Sequence, residues 1–176
     1  MTFQLTEPIL VIGLGGVGTR LAEKTKKSLN SDCLMISHDQ NDLIAENSIK
    51  ISTKSVVNPS THLIRGSTLE KSDEIKKNIT NYSTVILMSN LAGKAGTGIG
   101  PIVSKICKQE QKNLLSFAVM PFKFEKERIF QSGIALKRIR EDSQCTIVVD
   151  NDALLDSNPD LTQKECYDIP TMQLKM

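Results

Sequence analysis

The chain has no tryptophan, two tyrosines, five phenylalanines and two histidines, His38 and His62. Two imidazoles are too few for a multi-histidine metal centre, and their surroundings do not suggest a Ser-His-Asp triad. The four cysteines, Cys33, Cys107, Cys145 and Cys166, lie far apart with no C-x-x-C pair. Reduced, mostly buried thiols of a cytoplasmic protein are the expectation, with no metal site. No apolar run approaches the roughly 20 residues of a spanning helix, and "MTFQLTEPIL" lacks the basic, apolar, small-residue order of a signal peptide. Charge of one sign is missing too: 22 basic residues are scattered among 20 acidic ones, for a net charge of +2. That balance gives no electrostatic case for nucleic acid. The 176 residues can bury one well-formed core, and no internal repeat divides them.

What is present is an alternation. "PILVIG" (8–13) is a continuous apolar run ending at glycine, which predicts a strand buried on both faces. "VGTRLAEKTKKSL" then carries Val17, Leu21 and Leu29 at roughly helical spacing. "CLMIS" (33–37) predicts a second strand and "SIKIS" (48–52) a short edge strand. Residues 53–68 hold Ser, Asn, Pro and Gly with little periodicity and predict a loop; "LEKSDEIKKNI" (69–79) predicts an exposed amphipathic helix. Strands at 84–89, 114–120 and 145–149 alternate with helices at 101–111 and around Ile129, Leu136 and Ile139. This order predicts an α/β fold, a Rossmann-like, mainly parallel sheet with helices on both faces. Its strand-to-helix loops share one edge, where ligands usually bind. Residues 1–158 form the expected domain. Residues 159–176 are expected as a C-terminal tail or the start of a further helix, in which "PDLTQKECYDI" can form one short helix stopped by Pro170.

Two glycine stretches lie on that edge. "GLGGVG" fits G-x-G-x-x-G through Gly13, Gly15 and Gly18, so backbone N–H groups and a helix N-terminus can meet a pyrophosphate. Asp39, just beyond the second strand, can accept a ribose hydroxyl, which completes a dinucleotide fingerprint. "LAGKAGTGIGP" (91–101) is the second stretch. It is no Walker A motif, because Met88 stands where that motif needs glycine and Ala95 where it needs a hydroxyl. Two glycine loops on one edge predict a phosphate chain gripped from both sides. A third stretch, "MPFKFEKERIFQSGIALKRI" (120–139), presents Glu125 for ribose hydroxyls and Arg128 for a phosphate.

The order of G-x-G-G, GTG, "PFKFE" and "GIALKRI", followed by "NDALL" (151–155), resembles the nucleotide-binding domain of the FtsZ/tubulin superfamily, on the FtsZ side, over roughly residues 8–168. The resemblance implies that Gly15, Gly16, Gly18 and Arg20 form the first phosphate loop, with Arg20 where the family commonly has Asn. Gly93, Lys94, Ala95, Gly96, Thr97 and Gly98 form its signature loop. Glu125 and Arg128 contact ribose or phosphate, Asp39 lies near the family's Asn-Thr-Asp segment, and Asn151 belongs to its Asn-Asp segment. Tyr167 or Asp168 takes the place of the residues that hold the guanine. The implied ligand is GTP or GDP, with or without Mg. The implied partners are a further copy of the chain or a full-length FtsZ-like homologue, in filament formation or cell division.

This chain also departs from the family. The signature loop is one residue shorter and lacks a second Thr, and "HLIRGSTLEKSD" holds a single glycine, Gly66, where a third Gly-rich phosphate loop belongs. Lys94 is a candidate compensating cation. The family's acidic loop that activates hydrolysis on the neighbouring subunit is absent from these residues, so weak or no hydrolysis is expected and no catalytic residue is assigned. Two other readings stay open: a Rossmann-type NAD-dependent or adenylating enzyme, and a non-hydrolysing regulatory module that binds FtsZ-like filaments.

Overall fold

The computed structural model describes residues 3–54, 57–157, 159–160 and 162. Among these residues six strands and six α-helices follow in the order β1 Ile9–Leu14, α1 Gly15–Leu29, β2 Asp32–Ser37, β3 Ser48–Lys50, α2 Thr61–Glu70, α3 Ser72–Ile79, β4 Thr84–Asn90, α4 Lys94–Gln109, β5 Asn113–Val119, α5 Lys126–Asp142, β6 Cys145–Val149 and α6 Asn151–Ser157. One short 3-10 turn, Gln40–Asp42, follows β2. The strands form a single sheet in the order β3-β2-β1-β4-β5-β6, and every neighbouring pair is parallel. The mainly parallel sheet expected from the alternation is thus observed, here parallel throughout.

Alternation along the strands divides the core. Leu10, Ile12 and Leu14 of β1, with Leu34 and Ile36 of β2, pack against Ile64 of α2, Ile75 and Ile79 of α3, and Ile99, Val103 and Ile106 of α4. The opposite residues, Val11, Cys33, Met35, Ile86 and Met88, meet Leu21 and Ala22 of α1. Successive side chains of a strand point to opposite faces, so a continuous apolar run serves both layers. Helices do cover both faces, but unequally. Beyond α1 the sheet is less covered: Phe117 is half-buried and its neighbour Ile147 is 42% exposed.

Two sequence expectations are corrected. Residues 61–68, expected as loop, belong to α2, started by Ser60, whose Oγ accepts a hydrogen bond from the Leu63 N–H at 3.3 Å. The helix expected from residue 101 begins at Lys94 and takes in most of the second glycine stretch. "NDALL" opens α6. The short helix expected from Pro159 falls mostly outside the described residues, and no helix among them is long and apolar enough to cross a membrane.

Candidate functional site

Strand order reverses direction between β1 and β4, whose C-terminal ends lie side by side: Gly13 is paired with Met88 and Leu14 with Ser89. A crevice outside the strand ends at such a point is the usual ligand position in open α/β sheets. Here β1 passes directly into α1 through Gly15, whose φ of +65° is costly for any residue with a Cβ. A Cβ on Gly15 would stand 2.7 Å from the Cβ of Ala95, in the first turn of α4. The two helices therefore begin against each other. Gly96 is equally constrained, because a Cβ there would run into the Asn90 carbonyl.

Neither helix start is capped or balanced by a side chain of its own first turn or N-cap residue. Residues Leu14 and Gly93, at the N-cap positions, supply no side-chain hydrogen bond, and neither first turn holds an acidic residue. Every other described helix has one or the other, from Ser60 on α2 to Asp73 and Glu74 on α3, Glu127 on α5 and Asp152 on α6. Each start leaves backbone N–H donors without intrahelical partners and about half a positive charge. Two such ends side by side make a place for an anion carrying more than one charge.

Beside α4 lies a cleft of about 390 Å³ lined by Thr61, Gly93, Lys94, Thr97, Arg128 and Gln131, among others. It brings Lys94, Thr97 and Arg128 together as expected. Lys94 Nζ donates to Asn58 Oδ1 at 2.7 Å and to the Pro59 carbonyl at 3.0 Å, which ties α4 to the segment before α2. Thr97 turns its hydroxyl back to the Gly93 carbonyl at 3.1 Å. Glu125 is engaged on both oxygens: one accepts from the Phe122 N–H at 3.0 Å, the other from Arg128 Nη1 at 2.9 Å. The carboxylate thereby fixes the Pro-Phe turn and holds Arg128, whose side chain is still 59% exposed.

Arg20, Asp39 and Asn151 do not line this cleft. Arg20 is exposed on α1. Asp39 accepts from the Asn41 N–H at 2.9 Å and caps the 3-10 turn. Asn151 is fully buried; its Nδ2 donates to the Met120 carbonyl at 2.9 Å, while its Oδ1 has no partner among the described residues. Tyr167 and Asp168 lie outside the described residues.

Three residues near the crevice escape the sequence reading. Asn58 holds Lys94. His38, just after β2, has a buried Nδ1 with no partner among the described residues, and burial pushes its pKa down against the opposing pull of Asp42 and Asp39. Asp42 reaches Gly16 in the first turn of α1. A separate cleft of about 420 Å³, lined by Glu23, Lys26, Asp32 and Tyr82 among others, carries charges of both signs and no helix start.

The model of the Tubulin/FtsZ family, GTPase domain, matches residues 60–159. The chain belongs to the Tubulin/FtsZ family. Among relatives, cell division protein FtsZ 2 of Halobacterium salinarum is 28% identical over 173 residues, covering 92% of this chain and 43% of that protein. Cell division protein FtsZ of Aquifex aeolicus is 32% identical over 101 residues, covering 56% of this chain and 28% of that one. An FtsZ dimer from M. jannaschii matches in fold with a TM-score of 0.82 at 24% identity, over 95% of this chain and 52% of that one. CetZ from Methanosaeta thermophila follows at 0.75 and 20%, over 95% and 51%. The Tubulin/FtsZ chain described here thus spans about half the length of the relatives it matches most fully. The FtsZ/tubulin nucleotide-binding fold expected from the glycine motifs is the fold observed.

Proposed function

We propose that this chain binds a guanine nucleotide, GTP or GDP, with the phosphates at the paired starts of α1 and α4, as the nucleotide-binding part of an FtsZ-like, self-associating protein of cell division. The observation that carries this is the pair of abutting helix N-termini, which alone among the described helices have neither a side-chain cap nor an acidic first-turn residue. In this reading the first turns of α1, from Gly15 to Gly18, and of α4, from Gly93 to Gly98, lie against the phosphates, with the N–H groups of Gly15, Gly16, Lys94, Ala95 and Gly96 as donors; those of Gly93 and Thr97 are already bonded to the Asn90 and Gly93 carbonyls. Arg20, Lys94 and Arg128 add positive charge, Asp39 and Glu125 serve the ribose, and Asn151 and Tyr167 serve the base. No group of three His, Cys, Asp or Glu among the described residues could hold a metal ion by itself.

Turnover by this chain alone is proposed to be slow. Phosphoryl transfer to water depends on a positioned water and on charge stabilisation. Both oxygens of Glu125 are already engaged, and Asp42 is tied to Ser37. Self-association rests on the family and on the FtsZ dimer among its structural neighbours.

Thermal-shift titration with GTP, GDP, ATP and NAD tests the reading. At one hundred times its Kd, a ligand of the native state adds about 2.7 kcal/mol, which raises Tm by about 5–11 °C in a chain of this size. Guanine nucleotides are expected to produce this shift. Preference for NAD or ATP moves the assignment to a dinucleotide or adenylating enzyme, and silence from all four moves it to a regulatory module.

A further inference from the structure

The end of α1 that should receive phosphate has an anionic neighbour from its own chain. Asp42, at the end of the 3-10 turn after β2, is half-buried, and a Cβ on Gly16 would stand 2.7 Å from its Oδ1. The carboxylate does not arrive there by chance rotation. Ser37, fully buried at the end of β2, donates its hydroxyl to Asp42 Oδ2 at 2.6 Å while accepting from the Asp39 N–H at 3.1 Å. One side-chain hydroxyl thus fixes both the turn and the direction of the carboxylate.

The charge is poorly compensated. No Lys or Arg forms an ion pair with Asp42 among the described residues. His38 interacts with it, but burial lowers the His38 pKa, so the imidazole is neutral near pH 7. Lys94 lies near His38, yet its ammonium is held by Asn58 and Pro59. A carboxylate beside an uncapped helix start gains from the helix field, and a phosphate placed at the same N–H groups gains from it too. The two anions compete for one field.

We propose that Asp42 is an intramolecular counter-anion that sets the affinity of the nucleotide site, weakening the binding of phosphates at the start of α1 by standing beside Gly16. The inference rests on the guanine-nucleotide reading above and adds to it a specificity-determining residue that penalises ligand charge. Removing the charge therefore tightens binding. The gain grows with the number of phosphate charges, so it is larger for GTP than for GDP. At the partly solvated edge of a protein, one neighbouring unit charge corresponds to about a tenfold change in affinity.

The test is isothermal titration of the whole 176-residue chain with GDP and with GTP in EDTA, for the native protein, Asp42→Asn and Glu46→Gln. Asn keeps the shape and can still accept from Ser37. Glu46, exposed on the segment after the turn, controls for net charge alone. Expected is about tenfold tighter GDP binding by Asp42→Asn, a larger gain for GTP, and little change in Glu46→Gln. Equal or weaker binding by a folded Asp42→Asn, or the same gain in both variants, overturns the proposal while leaving the nucleotide reading intact. Absence of GDP and GTP binding in all three proteins overturns both. Thermal melts establish that each variant is folded, and a melt shared with the native protein makes any change in affinity a property of the site.

Discussion

Replacing Gly15 by Ala tests whether the two helix starts are joined as the geometry requires. Two costs combine. Holding an L-residue at a φ of +65° costs about 1–2 kcal/mol. The new Cβ also stands 2.7 Å from the Ala95 Cβ, well inside contact distance, and overpacking of this kind adds about 1–3 kcal/mol. The expected destabilisation is about 2–5 kcal/mol, a large share of the roughly 5–15 kcal/mol that holds a domain, with a fall in Tm of about 4–20 °C. Urea unfolding followed by circular dichroism measures it. Ala95→Gly in the same background relieves the steric part but leaves the φ penalty, so the double-mutant cycle should show coupling of about 1 kcal/mol or more. A Gly15→Ala protein within about 0.5 kcal/mol of the native one, the spread of an unremarkable surface change, refutes the reasoning. Zero coupling refutes the abutment of α1 and α4.

Phe122 is fully buried and stacks on Phe124 with ring centroids 5.1 Å apart; Phe122→Ala should cost about 3–5 kcal/mol by denaturant unfolding. Tyr82 is pushed up from 10.0 to about 12, first by burial and then by its hydrogen bond and proximity to Asp32. Its phenol should therefore resist ionisation in an ultraviolet pH titration, and Asp32→Asn should bring it part of the way back. Because the folded value lies above the ordinary one, the stability it contributes is present below about pH 10 and is lost as pH rises toward 12. Burial likewise raises the Cys107 thiol to about 12, so peptide mapping after alkylation of the native protein should find Cys107 unmodified, and labelled only after unfolding.

The strands and their mainly parallel sheet were legible because β1, β2 and β4 are apolar on both faces, and glycine at the end of β1 marks the passage into α1. The start of α4 was not. Glycine-rich composition reads as loop, and Pro101 reads as a first-turn residue, whereas the chain is already helical at Lys94. Those glycines answer to tertiary neighbours: a Cβ at Gly98 would press on Ile64, and one at Gly100 on Ile139. Close packing of α4 between α2 and α5 thus overrides local propensity. For α2 the signal was present in Ser60 followed by Leu63 and Ile64, but Gly66 and the neighbouring polar residues hid its period.

Site residues were legible where the backbone supplies the chemistry and less so where side chains meet across the fold. Lys94 and Arg128 were placed on the right edge, but the Asn58 contact and the pairing of Arg128 with Glu125 depend on how α2 and α5 flank α4. Asp42 could have been noticed as a second acid three residues after Asp39. Its approach to Gly16 depends on the 3-10 turn and on Ser37, and neither is visible as a spacing.

The most direct test of the central claim is an amide NMR titration of the isotopically labelled chain with GDP. The account predicts saturable shifts concentrated at Gly15, Gly16 and Gly18 and at Gly93 through Gly98, with ADP and NAD far weaker. Shifts centred elsewhere, or an equal response to NAD, would contradict it.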